Sequence, residues 1–368
     1  MAEKAYKYRI YPNKKQKELI HKTFGCTRFV YNYYLNKRKE MYENDKITFT
    51  YNMCSKDLTQ LKKEFEWLRE PDKDSLQKCL KDLDMAYQKF FKEHTGYPKF
   101  KSKKNRYQSY RTSCTNNNIR FENKKIKLPK LGLVKTRDKQ IPQGRILNAT
   151  ISQEPNGHYY CSLCCTDIEF EQLPKTNRNI GLDLGLVDFV IFSNGTKIKN
   201  PRFYEKSEKK LAKSQRELSR KTIGSNRWNK VRVKVANLQK HISNQRNDFL
   251  QKLTTEIVRT YDMIAIENLD VKYMKETDST IRNKRVSDVS WSEFRRMLTY
   301  KTQWYGKKLS VIDRYYPSSQ ICHCCGYRDG KKSEDIRFRI CPKCNSELDR
   351  DINAAINILN EGLRIINV

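Results

Sequence analysis

The spacing of apolar residues divides the first half of the chain into a strand, a helical block and a set of short strands. Residues 5–10 alternate tyrosine with lysine and arginine, and this period of two predicts a strand. From residue 14 to about residue 95 the spacing becomes helical, and two apolar faces can be traced. One face is formed by Leu58, Leu61, Phe65 and Leu68, and the other by Leu76, Leu80, Leu83, Tyr87 and Phe90.

Short alternating runs return after residue 145. They cover residues 146–151 and 158–170, and the Pro-Asn-Gly sequence at 155–157 is a turn signal between them. We therefore expect a small β domain, which the strand at residues 5–10 would complete.

The second half mixes buried strands with long helical segments. A Pro/Thr/Asn stretch near residues 174–179 marks the boundary, and residues 180–192 then predict a strand and a hairpin. The remaining patterns predict two strands, at 263–266 and 309–313, and three helical regions, at 203–261, 290–301 and 349–368. At roughly 100–200 residues per domain, the length suggests two or three domains, so the expected fold class is multidomain α+β.

The charge of the chain indicates a polyanionic partner. Its 368 residues include 75 lysines and arginines against 42 acidic residues, a formal net charge of +33. Two tracts are especially basic: residues 96–145 carry 15 basic and two acidic side chains, and residues 197–247 carry 16 and three. Nucleic acid is the partner expected for such a surface. Composition alone does not distinguish an enzyme from a passive binding protein.

No run of apolar residues is long enough to span a membrane, and the N-terminus lacks the apolar core of a secretory signal. We therefore expect an intracellular protein, whose thiols stay reduced. Its 12 cysteines are then metal ligands or small buried residues rather than disulfide partners.

Two cysteine pairs have the spacing of a zinc ribbon. Cys322 and Cys325 form one C-x2-C knuckle, and Cys341 and Cys344 form another after 15 intervening residues. Four thiolates close a tetrahedral site that has no open position, so one structural Zn²⁺ is expected there. Iron–sulfur ligation, or a degraded site without metal, is the alternative. Cys161 and Cys164 share the spacing, but an alternating strand would point them to opposite faces, which favours packing.

Three carboxylates lie where buried chain elements end or begin. Asp183 interrupts the apolar run 180–186, Glu267 follows the apolar run 263–266, and Asp351 opens the last helical region. A buried carboxylate is costly unless it is paired or binds a metal, and a cluster of such groups can hold two divalent cations for phosphodiester hydrolysis. Each acid also has a structural alternative: Asp351 as a helix N-cap, the other two as partners of lysines. The neighbouring acids that could assist them are Asp188, Asp262, Asp270 and Asp349.

The motifs together resemble TnpB, the family of transposon-encoded RNA-guided nucleases related to the type V CRISPR effectors. The matching segments are YKYRIYPNKKQ (6–16), FGCTRFVYN (24–32), GYPKFKSK (96–103), GLDLGLVDFVIFSNG (181–195), IAIENLDVKYM (264–274), WSEFRRMLTYK (291–301), SSQICHCCG (318–326) and DRDINAAINI (349–358). One departure is Asn345, where the family usually has glycine after the last cysteine, although asparagine tolerates the same left-handed backbone.

The resemblance implies the roles of the site residues and the partners. Asp183, Glu267 and Asp351 would be RuvC-like catalytic acids that bind two Mg²⁺ ions, which Mn²⁺ could replace. The four cysteines would bind one Zn²⁺. The partners implied are a guide RNA derived from the transposon end, with one protein chain per RNA, and double-stranded target DNA. The expected location is the prokaryotic cytoplasm, in association with the nucleoid and with no membrane.

The resemblance also implies an architecture. A wedge-like β-barrel would comprise residues 1–13 and 96–175, and a helical recognition domain would comprise residues 14–95. An RNase H-like (RuvC) nuclease domain would comprise residues 176–317 and 349–368, with a zinc-ribbon module inserted at residues 318–348.

The function implied is RNA-guided endonuclease cleavage of double-stranded DNA beside a short flanking motif, by an enzyme encoded in an insertion sequence. An unguided transposase-type nuclease and a nucleic-acid-binding regulator without cleavage are the alternatives. Candidate nucleic-acid contacts on the helix at 74–91 are Gln77, Lys78 and Lys81, for which a solvated helix face is an equal alternative. Further candidates in the first basic tract are Lys99, Lys101, Lys103, Lys104 and Arg106.

Overall fold

Two units make up the chain, Met1–Glu169 and Phe170–Val368, and each contains its own sheet. The computed structural model describes residues 2–271, 274, 280–330, 332–333 and 336–367. The motif at 264–274 therefore extends to residues 272 and 273, which lie outside the described residues. The boundary between the units falls a few residues before the Pro/Thr/Asn stretch at which the sequence predicts it.

The sheet of the first unit is antiparallel and has seven strands in the order β2-β6-β7-β1-β5-β4-β3. The strands are β1 (Ala2–Tyr11), β2 (Gln108–Ser113), β3 (Arg120–Glu122), β4 (Lys125–Leu128), β5 (Gly132–Thr136), β6 (Arg145–Gln153) and β7 (Tyr159–Ile168). The N-terminal strand pairs with β7, as the sequence predicts. Cys161 is fully buried on β7 whereas Cys164 is half-buried on its other face, so the packing interpretation of this pair is confirmed.

Three helices precede β2 in the first unit. They are α1 (Lys14–Asp45), α2 (Tyr51–Glu64) and α3 (Lys73–Glu93), and one turn of 3₁₀-helix at Glu66–Arg69 separates the last two. A reciprocal capping box fixes the start of α1, because Asn13 and Gln16 each bond the backbone N–H of the other. The predicted apolar faces form one core, except for Phe90, which packs against Phe91 and Tyr97 instead. Leu58, Leu68 and Leu76 are almost completely buried in this core.

The sheet of the second unit is mixed and has five strands in the order β10-β9-β8-β11-β12. The strands are β8 (Asn179–Leu184), β9 (Asp188–Phe192), β10 (Lys197–Lys199), β11 (Met263–Glu267) and β12 (Lys308–Ile312). The three strands β8, β11 and β12 are mutually parallel, whereas β9 and β10 run antiparallel to their neighbours. The carboxyl ends of the parallel strands therefore share one edge of the sheet.

Helices flank this sheet: α4 (Phe203–Ser219), α5 (Asn226–Thr260), α6 (Thr280–Val289), α7 (Trp291–Tyr305) and α8 (Arg350–Asn367). The helical region predicted at 203–261 is two helices rather than one. The Ser225 hydroxyl accepts a hydrogen bond from the Trp228 N–H and so caps the start of α5, and residues 220–225 connect it to α4.

The last helix packs unusually close to the sheet because two glycines allow it. A Cβ added to Gly181 on β8 would lie 2.0 Å from the Ala355 carbonyl oxygen, and one added to Gly362 on α8 would lie 2.4 Å from the Ala265 Cβ. These glycines are needed for the approach of one element to another and not for a left-handed backbone. Between β12 and α8 the chain forms a small hairpin of β13 (Phe338–Ile340) and β14 (Glu347–Asp349).

Candidate active site and metal centre

The three predicted acids meet at the carboxyl edge of the second sheet. The parallel register pairs Ile266 with Leu182, so the next residues, Glu267 and Asp183, come side by side. Asp351 lies in the first turn of α8, which packs on β8 and β11. Residues that are separated by up to 168 positions in the sequence are therefore brought together by strand register and one helix contact.

The negative charges of two of these carboxylates act on the third, Asp183. Desolvation, followed by the negative charges of Glu267 and Asp351, raises the pKa of Asp183 well above its ordinary value. Desolvation also raises the pKa of Glu267, although a 2.7 Å hydrogen bond from the Ser318 hydroxyl opposes it. Among the described residues neither of these two acids forms an ion pair with a lysine. Desolvated carboxylates that repel one another suit divalent cations, which prefer oxygen ligands.

The Asp349 and Asp351 side chains have different hydrogen-bond partners, although they are only two residues apart. The Asp349 carboxylate accepts the N–H groups of Asp351 and Ile352 at 3.0 and 3.1 Å and pairs with Lys197 at 2.6 Å. Asp349 is thus the residue that caps α8, and the alternative in which Asp351 is the cap is wrong. The Asp351 carboxylate instead points to Arg337, whose Nη1 is 3.0 Å from both oxygens.

The remaining acidic neighbours are engaged elsewhere. Asp262 lies just before β11, at the end of the strand away from Glu267, and accepts bonds from the Thr176 and Asn177 N–H groups and from Lys307. Desolvation raises the pKa of Asp262, but these bonds outweigh it and lower the pKa to about 2. Asp188 pairs with Lys199 and Asp270 with Arg314, so each of these acids already has a cationic partner.

The four cysteines of the predicted metal site converge. Their sulfur atoms all lie within 4.8 Å of one another, with Cys322 and Cys344 separated by 3.7 Å and Cys325 and Cys341 by 3.6 Å. Metal–sulfur bonds of about 2.3 Å in a tetrahedron place adjacent sulfurs about 3.8 Å apart, whereas a disulfide needs about 2.0 Å. The sulfurs therefore fit the corners of a tetrahedron around one metal ion.

The two knuckles have the same backbone hydrogen bonds. Gly326 N–H donates to the Cys322 carbonyl, and Asn345 N–H donates to the Cys341 carbonyl, both at 2.9 Å. Gly326 has φ +71° and Asn345 has φ +56°, so the asparagine does adopt the left-handed conformation that the turn requires. The Ser346 hydroxyl lies 3.2 Å from the Cys344 sulfur, and its hydrogen bond lowers the pKa of that thiol.

The first knuckle is fastened to α8 by side chains that the sequence analysis did not identify. The Asn353 side chain accepts the His323 N–H at 2.9 Å and donates to the Ile321 carbonyl, and the Asn357 amide donates to the Ser318 and Ile321 carbonyls. Both asparagines are nearly fully buried. Two amides at positions i and i+4 in an apolar helix face were the available signal, because buried polar groups need partners.

Of the predicted nucleic-acid contacts, the group on α3 is partly engaged within the first unit. The side-chain oxygen of Gln77 (Oε1) accepts hydrogen bonds from the Tyr51 and Ser55 hydroxyls of α2, at 3.3 and 3.0 Å. Gln77 and Lys78 are half-buried, whereas Lys81 is exposed and lies 5.6 Å from the centre of the Tyr51 ring. The α3 face therefore contains polar groups that are held in place by α2.

The second group lies in the exposed loop between α3 and β2. The loop is fixed to α1, because the Asn32 amide exchanges two hydrogen bonds with the backbone of Lys101 and the Lys101 ammonium lies 4.0 Å from the centre of the Tyr31 ring. Lys103 and Arg106 line a groove of about 570 Å³. The same groove is also lined by Glu18, His21, Lys22, Phe24, Gly25, Arg28, Asn105, Gln108 and Gln153.

Three family models match parts of the chain. A model described as "Probable transposase" (OrfB_IS605) matches residues 158–278, and "Cas12f1-like, TNB domain" matches residues 291–358. A third, "Helix-turn-helix domain" (HTH_OrfB_IS605), matches residues 1–46. In the described part of that segment the structure has a strand followed by one uninterrupted helix, α1, rather than two helices joined by a turn.

Curated relatives match nearly the whole chain. A protein of Streptomyces pristinaespiralis named "Putative RNA-guided DNA endonuclease" is 37% identical over 98% of this chain and 90% of its own length. A protein of Escherichia coli K12 with the same name and the designation InsQ is 32% identical over 98% and 93%. The TnpB-like protein L79 of Acanthamoeba polyphaga mimivirus is 27% identical over 52% of this chain and 38% of its own length.

A solved structure shares the fold. The cryo-EM structure of a Cas12f1–sgRNA–target DNA complex matches with a TM-score of 0.63 and 12% identity, over 98% of this chain and 99% of that chain. Among the described residues, no helix is both long and apolar enough to cross a membrane.

Proposed function

This chain belongs to the same family as those RNA-guided DNA endonucleases, and from that membership we propose that it cleaves double-stranded DNA at a position selected by a bound RNA. The resemblance to TnpB in the sequence motifs is thereby confirmed. The observation that carries the proposal is the meeting of Asp183, Glu267 and Asp351 at one sheet edge. The strand order of the second sheet, with three parallel strands and an antiparallel hairpin, supports an RNase H-like nuclease domain of the RuvC type.

The chemistry proposed is metal-dependent hydrolysis of a phosphodiester bond. The three carboxylates would hold Mg²⁺ or Mn²⁺, and a pair of such ions would activate water and stabilise the leaving oxygen. The chain's own contribution is to keep the three oxyanions together and partly desolvated, so that cations bind them in place of protons. Ser318 keeps the Glu267 carboxylate oriented by its hydrogen bond.

We propose that the four-cysteine site binds one structural Zn²⁺. The separations between its sulfurs support a single tetrahedral ion, and a site with four protein ligands has no position for substrate. The bonds from Asn353 and Asn357 to the first knuckle support a structural link between this module, at residues 318–348, and the helix that carries Asp351.

We propose that nucleic acid is held by basic surfaces of a wedge-like domain (1–13 and 96–175) and of a helical recognition domain (14–95). Phosphate contacts would supply affinity, base pairing with the guide would select the target, and the protein would read only a short flanking motif. The groove that contains Lys103 and Arg106 and the α3 face with Gln77, Lys78 and Lys81 are the proposed contact surfaces. Lys99, Lys101 and Lys104 lie exposed in the same loop.

The test of the chemistry is substitution of each acid. Asp183→Ala, Glu267→Ala and Asp351→Ala should each abolish Mg²⁺-dependent cleavage while nucleic-acid binding survives, because the basic surfaces are elsewhere. Cleavage of a labelled duplex and its binding in a gel-shift assay are measured on the same preparations. A variant that cuts at the wild-type rate would remove that residue from the site.

A second experiment separates guided from unguided cleavage. The purified protein should carry RNA, and rewriting the 3′ segment of that RNA should redirect cleavage to a newly matched duplex. The readout is cleavage of matched and mismatched duplexes, with the RNA intact or digested. Equal cutting of both duplexes without RNA would establish the unguided transposase-type nuclease, and binding without any cutting would establish the regulator.

A further inference from the structure

Four aromatic rings form a cluster at the end of α3 and in the loop that follows it. Tyr87, Phe90 and Phe91 belong to the last two turns of the helix, and Tyr97 belongs to the loop. The centres of neighbouring rings lie 5.0 to 6.4 Å apart. The Tyr87 and Tyr97 hydroxyls also share a hydrogen bond of 2.9 Å. These contacts fix the loop ring against the helix rings, so the cluster is already formed before any partner binds.

The outer side of this aromatic cluster faces solvent. Phe91 is 68% exposed and Tyr97 is 43% exposed, although both rings pack against Phe90. Large apolar side chains that are exposed singly are common, but several in contact with one another mark a binding surface. The cluster therefore presents ring surface to a partner that binds from outside the first unit.

The charge around the aromatic cluster identifies the class of that partner. Residues 85–107 include seven basic side chains and one acidic side chain, Glu93. Lys89 and Lys92 flank the two phenylalanines in the sequence, and both lysines are exposed. A second copy of the chain would bring an equally positive surface to this one, and like charges oppose that contact. A nucleic acid would instead bring phosphates to the lysines and bases to the rings.

We propose that the aromatic cluster is a platform on which an unpaired base of the bound RNA stacks. The inference rests on the proposed function, and it adds a contact that is distinct from phosphate binding. Unpaired RNA segments expose base faces that stack on aromatic side chains, whatever the base. RNA is the occupant rather than target DNA, because the target arrives as a duplex whose bases are already paired and stacked. The flanking lysines would hold the RNA backbone while Phe91 contacts the base.

The test measures the affinity of the full chain for RNA in the absence of DNA. The probe is a labelled transcript of the RNA that the purified protein carries, and it is titrated with RNA-free protein at several salt concentrations. Phe91→Ala should raise the Kd about five- to ten-fold, the lower part of the range for loss of one base–aromatic stack. The slope of log Kd against log salt concentration should not change, because no phosphate contact is lost. Lys92→Gln should instead reduce that slope by about 0.7.

Further variants separate stacking from a loss of folding. Phe91→Leu keeps an apolar side chain but no ring face, so it should bind RNA as weakly as Phe91→Ala, whereas Phe91→Trp should restore the wild-type Kd. Trp67→Ala is the matched control. The Trp67 ring is 41% exposed and its centre is 4.9 Å from that of Phe29, but residues 64–72 carry four acidic side chains and one basic side chain. This variant should keep the wild-type Kd for RNA.

An unchanged Kd for RNA in Phe91→Ala overturns the inference. If RNA-loaded Phe91→Ala then binds the target duplex more weakly, the rings contact DNA. If sedimentation shows a wild-type dimer that Phe91→Ala converts to a monomer, the rings contact a second copy of the chain. Wild-type cleavage of a matched duplex is assayed in parallel. The expected RNA affinities without cleavage would overturn the proposed function alone, and purified protein that carries no RNA would overturn both.

Discussion

At the scale of single residues, two aspartates separated by one position make different contacts at the start of α8. The Asp349 carboxylate bonds the first N–H groups of the helix and the Lys197 ammonium, whereas Asp351 joins the acid cluster. Desolvation raises the pKa of Asp349, but the bond from Lys197 and the helix N–H groups outweigh it, so the pKa is lowered. The stabilisation by Asp349 is therefore present above the ordinary pKa of an aspartate and is lost as the pH falls through the lowered value.

This division predicts opposite phenotypes for the two positions. Asp349→Ala should lower the free energy of unfolding by about 1 kcal/mol, the usual cost of losing a cap, and should retain measurable cleavage. Asp351→Asn should abolish cleavage with little loss of stability. Urea denaturation and a cleavage assay check both variants, with Asp349→Asn as the control that keeps a capping oxygen. Full cleavage by Asp351→Asn would contradict the assignment.

The acids and the cysteines could be proposed from the sequence because each has a recognisable local pattern. The patterns are a carboxylate that follows an apolar strand and two C-x2-C knuckles. Arg337, Ser318 and Asn353 were missed because their roles depend on partners 14 to 51 residues away in sequence. Only the fold reveals which of many arginines or serines meets an acid.

At the scale of secondary-structure elements, the position of α8 against the sheet decides whether the proposed active site can form. Gly181 and Gly362 allow the helix to approach β8 and β11, and α8 brings Asp351 to Asp183. The sequence predicted β8, β11 and α8 near their observed limits, since period and apolar runs mark elements well. It did not predict this contact distance or the break at 220–225, where a serine cap outweighs continued helical spacing.

We predict that Gly181→Ala destabilises the protein by about 3 kcal/mol and removes cleavage. The added Cβ meets backbone atoms of α8, so the helix must shift, and overpacking of this kind usually costs about 1–3 kcal/mol. Gly25→Ala is the matched control for stability alone, because Gly25 lies inside α1 and its Cβ would have no neighbour closer than 4.0 Å, but it also lines the proposed nucleic-acid groove. That variant should be neutral or slightly more stable. Thermal denaturation compares the two variants and cleavage is assayed for Gly181→Ala against the wild type; an active, stable Gly181→Ala protein would refute the close packing.

A buried lysine joins α5 to α7 and makes the stability of that contact depend on pH. Lys301 is 4% exposed and donates to the Gln251 carbonyl and to the Thr254 and Thr255 hydroxyls. Desolvation lowers its pKa from 10.5 to about 8. At pH values between these two pKa values, the Lys301 side chain is protonated in the unfolded chain but not in the folded chain. The contribution of Lys301 therefore makes the free energy of unfolding rise with pH across that window.

Lys301→Met should therefore flatten the pH dependence of unfolding. The urea midpoint of the wild type should increase relative to that of the variant as the pH rises from about 8 to about 10. Arg364→Met, which removes an exposed cation from α8, should change the midpoint equally at both values. A wild-type minus Lys301→Met difference that is constant with pH would disprove the lowered pKa.

At the scale of the whole molecule, two proposed metal sites with different ligands are both connected to the start of one helix. The first knuckle of the proposed closed site of four thiols contacts α8 through Asn353, and α8 carries Asp351 of the proposed open site. The organisation into α and β segments and the family were predictable from the sequence. The attachment of the first knuckle to α8 was not, because it depends on the hydrogen bonds of Asn353 and Asn357.

We expect loss of the proposed Zn²⁺ to reduce cleavage, although its four cysteines are not ligands of the acid site. Cys341→Ser should lose about one Zn²⁺ per chain by elemental analysis, because the free energy of metal binding is also folding energy for this small module. Cleavage should then fall, since the segment that holds Arg337 and α8 is no longer anchored. Cys164→Ala is the control, because it belongs to a C-x2-C pair on opposite faces of β7, and it should keep both zinc and cleavage. Folded, fully active Cys341→Ser protein without zinc would contradict the coupling.

The late position of α8 in the chain has a consequence for protein synthesis. The strands with Asp183 and Glu267 are translated long before the helix that completes the site, and α8 covers β8, β11 and β12. A ribosome that terminates anywhere before residue 350 therefore releases a product with neither the third acid nor the cover of its sheet. Products that end within the second unit retain the basic residues of the first unit. Nonsense mutations along the second unit should thus yield competitors for nucleic acid rather than weakened enzymes, and a frameshift shortly before codon 350 should behave like one in the middle of the second unit.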